Sequence, residues 1–339
     1  ALGPLTYHRL PEILTKIYRK RGETIIDTDF PAEAKFDFLP ENKAEGGCSF
    51  LAVQEGCNNF CTYCVVPYTR GAEYSRPVAE VIAEAKDLLK TGTLEINVLG
   101  QNVNSYHGED ENGKERNLAY LLRRLAELDG LKRLRYTTSY PADVDDDLIA
   151  CHHDLGQLMP YLHLPVQSGS DKILKAMNRR HDRAKYLEVI DKLRNANDKL
   201  RFSSDFIVGF PNETDEDFKQ TLSLVDEVKY IQAYSFKYSR RAGTPAAVMA
   251  GQVDEKVKKA RLDELQTLLF DYQDKFNRSC VGKVFPVLFE QGGRHNGQLI
   301  GRTPYMQNLH AKADKSLLNK IVDVRVESAT TNSLSGKVL

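Results

Sequence analysis

From Ser49 to Tyr238, short apolar runs of strand-forming residues alternate with longer segments of helical period, and this alternation restricts the chain to repeated βα units around a parallel sheet. Six strands are predicted, over residues 50–54, 95–99, 133–138, 161–165, 201–208 and 231–238. Helices are predicted near 78–90, 118–128, 144–153, 170–177, 183–195 and 216–228. The fold class expected is therefore α/β: six units make an open partial (βα)6 barrel, a relative of the closed (βα)8 barrel, whose strand-end loops carry the chemistry. A charged segment, 254–278, predicts a long helix along the flank of the sheet. Beyond it the character changes. Residues 284–289, 297–302, 309–313 and 321–329 are short strand-like runs separated by Gly, Asn and Asp, the pattern of a small antiparallel all-β barrel. The expected domains are a linker with a basic amphipathic helix over 10–21 (residues 1–45), the α/β core (46–278) and the β-barrel (279–339).

No apolar run approaches the length needed to cross a bilayer, and the start ALGPLTYHRL lacks the basic and apolar regions of a secretory leader, so no membrane association and a cytoplasmic location are expected. Lys and Arg number 47 against 47 Asp and Glu, which argues against a protein that coats nucleic acid. From Ser279 onward, however, eight basic residues stand against four acidic ones. Such a surplus is either a solvated face or a surface for a polyanion.

Six cysteines are too few for a disulfide scaffold in a chain of 339 residues. Three of them, Cys57, Cys61 and Cys64, crowd into GCNNFCTYC just after the first predicted strand. Three thiolates fill three corners of a [4Fe-4S] cubane and leave one iron open, which is the mark of a catalytic metal site. The alternative is a closed zinc site that recruits Cys48, against which stands the length of the intervening strand. Cys151 and Cys280 fall in or beside helices and are expected to be packed thiols.

The C-x3-C-x2-C spacing after the first strand of an α/β barrel resembles the radical S-adenosylmethionine (SAM) superfamily, over about residues 49–238. The resemblance implies that SAM chelates the open iron through its methionyl amine and carboxylate, and that one electron cleaves it to a 5'-deoxyadenosyl radical. It also implies that Tyr63 lies against the adenine. Gly100, Gln101, Asn102 and Asn104 follow the second strand, where the superfamily binds the methionine amine, and Ser139 ends the third. His163, Gln167 and Ser168 stand in HLPVQSGS around the fourth strand, with Arg179 and Arg180 behind it as carboxylate partners. Asp205, Val208, Gly209 and Glu213 lie in SSDFIVGFPNET, which is similar to the fifth-strand motif bordering adenine. Each of these residues has an alternative role as a helix cap or a satisfied loop residue.

The segments EGCNNFCTYCVVPYTRGAEYSRP, LGQNVNSY, TSYP, HLPVQSGS, MNRRH, DFIVGFPNET and FKYSRRAGTPAA, followed by a small β-barrel, resemble the methylthiotransferases, and the barrel resembles their RNA-binding TRAM domain. VVPYTRG and GQNVNSY resemble the branch that acts on N6-isopentenyl adenosine beside the tRNA anticodon. The resemblance implies one SAM as methyl donor and a second as radical source, with hydrogen taken from C2 of the adenine and a methylated sulfur on a second cluster attacking that carbon. It implies the tRNA anticodon stem-loop as partner, a flavodoxin or ferredoxin as electron donor, and a monomer. Arg302, Tyr305, Lys312 and Arg325 are the candidates for RNA contact, or alternatively surface charge and barrel packing. Other readings are the sister branches, acting on threonylcarbamoyl adenosine or a ribosomal protein, and a noncatalytic metal-containing RNA-binding module. The family's second [4Fe-4S] cluster belongs to an N-terminal domain, and Cys48, Cys151 and Cys280 are not spaced to replace its ligands. The expectation is that these residues cleave SAM but do not complete sulfur insertion.

Overall fold

In the computed structural model, residues 46–339 are described without interruption, together with 3, 6, 9–19, 22, 24–27 and 36 before them. The parallel part is built from β1 (Cys48–Ala52), β2 (Glu95–Leu99), β3 (Arg133–Thr137), β4 (Tyr161–His163), β5 (Arg201–Val208) and β6 (Gln232–Lys237). β1, β2 and β3 pair in parallel with Cys48 opposite Glu95 and Glu95 opposite Arg133. β4, β5 and β6 form a second parallel set, with Tyr161 opposite Arg201 and Gln232 opposite Ser203. A bridge between Leu134 and Leu158 joins the two sets. Among the described residues nothing pairs β1 with β6, so the six-stranded barrel stays open along that seam.

Alternation along each strand explains the two faces. Leu51, Ile96, Val98, Leu134, Leu162 and Phe206 point outward into one continuous core under the helices, where each fully buried aliphatic side chain contributes about 2 kcal/mol. The helices of six or more residues are α1 (Leu10–Arg19), α2 (Val78–Lys90), α3 (Leu118–Ala126), α4 (Asp146–Asp154), α5 (Asp171–Ala176), α6 (Arg183–Ala196), α7 (Asp215–Val228) and α8 (Glu255–Ser279). Asn117, Asp145, Ser170, Asp182 and Thr214 cap α3 to α7, each accepting a backbone N–H of the first turn.

Most predicted elements are observed, with differences that have local causes. The first strand begins two residues early and stops at Ala52, after which Gln54–Glu55 turns away to pair with Tyr74–Ser75. β4 ends at His163, because Pro165 has no N–H to continue a ladder. In the tail, β7 (Val284–Gly292), β8 (Gln298–Arg302), β9 (Asn308–Lys312) and β10 (Ile321–Ala329) are joined by a fifth strand that the pattern did not reveal, β11 (Leu334–Val338). It closes the barrel by pairing with β10 and, in parallel, with β9, so the barrel is not purely antiparallel. Of the predicted first helix, Leu10–Arg19 is described as helix; Lys20, Arg21 and most of the predicted linker up to residue 45 lie outside the described residues.

The small barrel seats on the N-terminal ends of β2 and β3. Glu95 receives Arg135 at 2.9 Å and Arg133 at 3.3 Å, all three side chains being almost wholly buried. The guanidinium groups go on to donate to the carbonyls of Pro286, Arg302, Thr303 and Pro304. One buried charge cluster thus docks the β-barrel beneath the parallel barrel.

Candidate active site

The cysteine loop leaves the barrel where β1 stops and returns through the Tyr74–Ser75 pairing, so its two ends are held together. Gly56 opens it at φ +84°, and a Cβ there would collide with the Ala72 carbonyl, so only glycine fits. Its N–H donates to Gln101 Oε1 at 2.7 Å, while Gln54 bonds both the Gly56 carbonyl (3.0 Å) and the Asn102 N–H (3.1 Å). Thr62 pins the far side through its N–H to Met177 O (3.0 Å) and its hydroxyl to Ala176 O (2.9 Å).

Each of the three sulfurs has its own N–H donor: Asn59 Nδ2 on Cys57 (3.5 Å), Arg179 Nη1 on Cys61 (3.7 Å) and the Val66 backbone on Cys64 (3.5 Å). Burial pushes the Cys57 and Cys64 thiols up, and the thiols raise one another; the donors from Asn59 and Val66 act in the opposite sense. Among the described residues no three His, Cys, Asp or Glu side chains gather for a single metal ion. What the loop offers is three separate thiols with sulfur-directed N–H groups, the donor set that suits three corners of a cubane. Cys48 is excluded as a fourth ligand. It sits at the opposite end of β1, bonded to Glu95 at 3.7 Å, with its thiol pushed up to about 12 by burial and by the Glu95 and Glu290 carboxylates. Cys151 and Cys280 are buried and bonded to the carbonyls of Ala119 and Phe276.

Around the loop, Arg179 lies 4.1 Å over the Tyr140 ring and donates to Pro165 O at 2.6 Å. Tyr63 packs within electrostatic reach of Arg179, Cys61, Cys64 and Tyr140, its phenol driven up by burial. Arg179 Nε, Ser139 Oγ and Asn102 Oδ1 are buried without a hydrogen-bond partner. An unsatisfied buried polar atom costs roughly 1–3 kcal/mol, so each of these three is a candidate to bond a polar ligand.

Other predicted residues are engaged within the fold. Gln101 holds Gly56, and the Asn104 amide bonds both the N–H (2.7 Å) and the carbonyl (2.8 Å) of Tyr140. Ser168 accepts the Ser170 N–H at 3.2 Å beside Thr221. Arg180 reaches Asp143 at 2.7 Å and Asn59 at 2.8 Å, bracing the cysteine loop. Glu213 accepts the Gly209 N–H and Arg261, both at 2.8 Å. Gly209, at φ +69°, packs on Lys258, where a Cβ would collide with the lysine stem; Val208 before it is buried. Gly100 is held against Gln54, and Gln167, at φ +76°, bridges to the backbone beside Asp205. His163 and Asp205 face the interior of the open barrel, 3.5 Å apart. Sequence reasoning passed over Asn59, Tyr140 and Asp143. Asn59 lies between the cysteines and Tyr140 inside TSYP, so position alone could have nominated both; Asp143 carries no local signal.

In the small barrel the four RNA candidates separate. Arg302 pairs with Glu290 at 3.6 Å and bonds Met306 O at 3.0 Å, and Tyr305 packs edge-on to Phe276 (5.4 Å) and Phe285 (5.9 Å) near the junction. Lys312 and Arg325 are exposed on the outer surface, and Lys337 of the unforeseen β11 stands between them in register. Like charges side by side on adjacent strands are destabilising, and these three form one such row.

The fold and the site define a radical SAM protein with an appended RNA-binding type of barrel. The Radical SAM superfamily matches residues 51–225 and the TRAM domain residues 278–339. The chain is 53% identical over 342 aligned residues, 99% of its own length and 74% of the relative's, to a tRNA-2-methylthio-N(6)-dimethylallyladenosine synthase from Bartonella tribocorum. Among solved structures it resembles the cobalamin-dependent S-adenosylmethionine radical enzyme OxsB, at 11% identity and a TM-score of 0.51, over 79% of this chain and 41% of that one. It also resembles the radical S-adenosylmethionine methyltransferase TsrM from Kitasatospora setae, at 18% identity and a TM-score of 0.48, over 60% of this chain and 39% of that one. The chain belongs to the radical SAM methylthiotransferase family.

Proposed function

We propose that the chain is a tRNA methylthiotransferase that adds a methylthio group to C2 of N6-isopentenyladenosine next to the anticodon. The observation carrying this reading is the three-thiol loop, each sulfur with its own N–H donor, in a chain so similar to the Bartonella synthase. Cys57, Cys61 and Cys64 would hold a [4Fe-4S] cluster and leave one iron to the amine and carboxylate of SAM. When bound, the cluster supplies the electron that opens the sulfonium C–S bond.

The chain's own residues bind and orient. Arg179 sets a fixed positive charge on Cys61, and its free Nε, with Ser139 Oγ and Asn102 Oδ1, offers polar atoms to the methionyl end of SAM. Tyr63 and the Val208–Gly209 corner would bound the adenine. Lys312, Lys337 and Arg325 would receive RNA phosphates, whereas Arg302 and Tyr305 serve the junction. A flavodoxin or ferredoxin is the proposed electron donor. Cys48, Cys151 and Cys280 have separate partners and supply no second three-thiol set.

The test is anaerobic reconstitution with iron and sulfide, followed by assay for 5'-deoxyadenosine and for the thiolated nucleoside in tRNA. The reconstituted protein is expected to form 5'-deoxyadenosine from SAM, and the thiolated nucleoside in tRNA is the direct readout of the proposed transfer. Iron-loaded protein that leaves SAM intact would overturn the enzymatic reading. Unchanged tRNA in a strain lacking the gene would transfer the substrate to a protein.

A further inference from the structure

Three segments of the chain meet at Thr62. Its N–H donates to Met177 O at 3.0 Å, its hydroxyl donates to Ala176 O at 2.9 Å, and its carbonyl accepts the Ala246 N–H at 2.9 Å. The cysteine loop (56–72), residues 175–180 and residues 239–252 together carry Arg70, Lys175, Arg179, Arg180, Arg240 and Arg241 and no Asp or Glu, in a chain that balances 47 basic against 47 acidic residues. Arg70 pairs with Glu55, Arg180 with Asp143, and Arg179 is turned to Cys61. Lys175, Arg240 and Arg241 are exposed and take part in no ion pair among the described residues.

The same segments expose apolar side chains. Phe60, next to Cys61, is 51% exposed, Tyr68 is 50% exposed and edge-on to it at 6.1 Å, and Val248, two residues past the Ala246 bond, is 87% exposed. Phe60 also holds φ +47°, a left-handed conformation that is strained for a bulky residue, and Asn178 fixes it by donating to the Asn59 and Phe60 carbonyls at 3.3 and 3.0 Å. Backbone strain and a ring left in water thus coincide beside a proposed cluster ligand, which points to a contact made outside the chain.

The proposed chemistry needs one electron from elsewhere, and electron transfer weakens steeply with distance, so its donor has to reach the cysteine loop itself. Exposed apolar side chains with unpaired cations on the same segments suit an acidic protein that binds briefly: opposite charge steers the encounter, and a small contact leaves it reversible. An RNA backbone is served by a row of cations, and the proposed function already places one on the small barrel in Lys312, Lys337 and Arg325.

We propose that Phe60, Tyr68 and Val248, with Lys175, Arg240 and Arg241, form the docking surface for an acidic one-electron carrier protein, which is oxidised by one electron as the cluster held by Cys57, Cys61 and Cys64 is reduced by one. No atom or group is transferred in this step. The inference rests on the proposed radical chemistry and deepens it by assigning the seat of the electron donor.

The test titrates the reconstituted full chain with a bacterial flavodoxin and, separately, a bacterial ferredoxin, reading affinity by biolayer interferometry across salt. Formation of 5'-deoxyadenosine is then compared with the reduced carrier and with dithionite as reductant. The wild type is expected to bind at least one carrier with an affinity that falls as salt rises. The triple variant Lys175→Glu, Arg240→Glu and Arg241→Glu should bind that carrier at least about tenfold more weakly, and Val248→Asp should weaken it as well. Both variants should keep the dithionite-driven rate and the affinity for hairpin RNA, with unfolding curves like the wild type because the side chains are exposed. Wild-type affinity for the carrier in both variants, or a wild type that binds neither carrier, would overturn the inference. So would loss of hairpin RNA affinity with carrier binding intact, which would give the surface to RNA, or a wild-type dimer that the triple variant dissociates, which would give it to a second copy of the chain. A wild type that leaves SAM intact even with dithionite would instead mean that the radical reading itself has failed, whatever the carrier does.

Discussion

Arg179 shows how much a single side chain decides here. Its guanidinium faces Cys61, Pro165 and the Tyr140 ring together, a set that a lysine ammonium cannot reproduce because it lacks the planar fork. N–H groups aimed at cluster sulfurs raise the reduction potential. Arg179→Met is therefore expected to lower the potential of the reconstituted protein by about 60 mV, the equivalent of one hydrogen bond of about 1.4 kcal/mol, as measured by potentiometric EPR titration. His152 supplies a pH-dependent counterpart far from the site. It is buried against the Tyr136 hydroxyl at 2.6 Å, and burial lowers it to about 4. The unfolded chain takes up a proton near pH 6.5 that the folded chain refuses until about pH 4, so stability should fall by about 3 kcal/mol as pH drops through that window. His152→Gln should flatten this acid limb in urea titrations between those two pH values. Neither Arg179's three partners nor the burial of His152 is visible in the residues adjacent to them in sequence.

At the scale of elements, the first turn of α7 carries a reciprocal cap. Thr214 accepts the Asp217 N–H at 3.2 Å, and Asp217 accepts the Thr214 N–H at 2.8 Å while also receiving Lys172 and Ser170, each at 2.7 Å. Burial alone would raise the Asp217 carboxyl, but these donors outweigh it and hold it well below the usual range. A depressed carboxyl stabilises the fold above its unfolded pKa and loses that contribution as pH falls through the folded value. Asp217→Ala should thus cost about 1–2 kcal/mol at neutral pH, with the gap to wild type narrowing below about pH 4. This cap was legible in advance as a helix start in PNETDEDF, since Thr followed three residues later by Asp is a local rule. The docking cluster was not. Glu95, Arg133 and Arg135 lie in two strands with no local sign that their charges meet, and only the parallel register brings them together. Glu95→Gln leaves two buried guanidinium groups without a carboxylate and is expected to destabilise by about 3–5 kcal/mol, splitting the calorimetric transition as the β-barrel separates from the core.

Taken whole, the proposed function separates chemistry from grip: a cysteine loop at the strand-end mouth of one barrel, and a basic row on the outer wall of another. Binding through that row should be electrostatic and independent of base identity. Replacing Lys312, Lys337 and Arg325 together with Gln should weaken every hairpin RNA alike and flatten the slope of log K against log salt by about 0.7–0.9 for each phosphate no longer neutralised, read from anisotropy titrations across salt. Two of the three residues were nominated from the basic surplus of the tail, and the third was missed because β11 is a short run with a glycine at its centre. The same view explains Arg302 and Tyr305. As a cation and an aromatic in a basic segment they have the composition of RNA-binding residues, yet tertiary packing places them at the junction, on Glu290 and on Phe276 and Phe285.

What this sequence determined by itself is what depends on neighbours along the chain: the alternation that makes βα units, the helix caps, and three cysteines at cubane spacing, because strand pitch, helix pitch and loop length act over a few residues. Which polar side chains stay free for a ligand, which brace the fold and where the second barrel docks were decided only by tertiary structure. Those outcomes follow from register and burial between residues far apart in the chain, such as Arg133 and Arg302, 169 positions apart, and no local pattern encodes them.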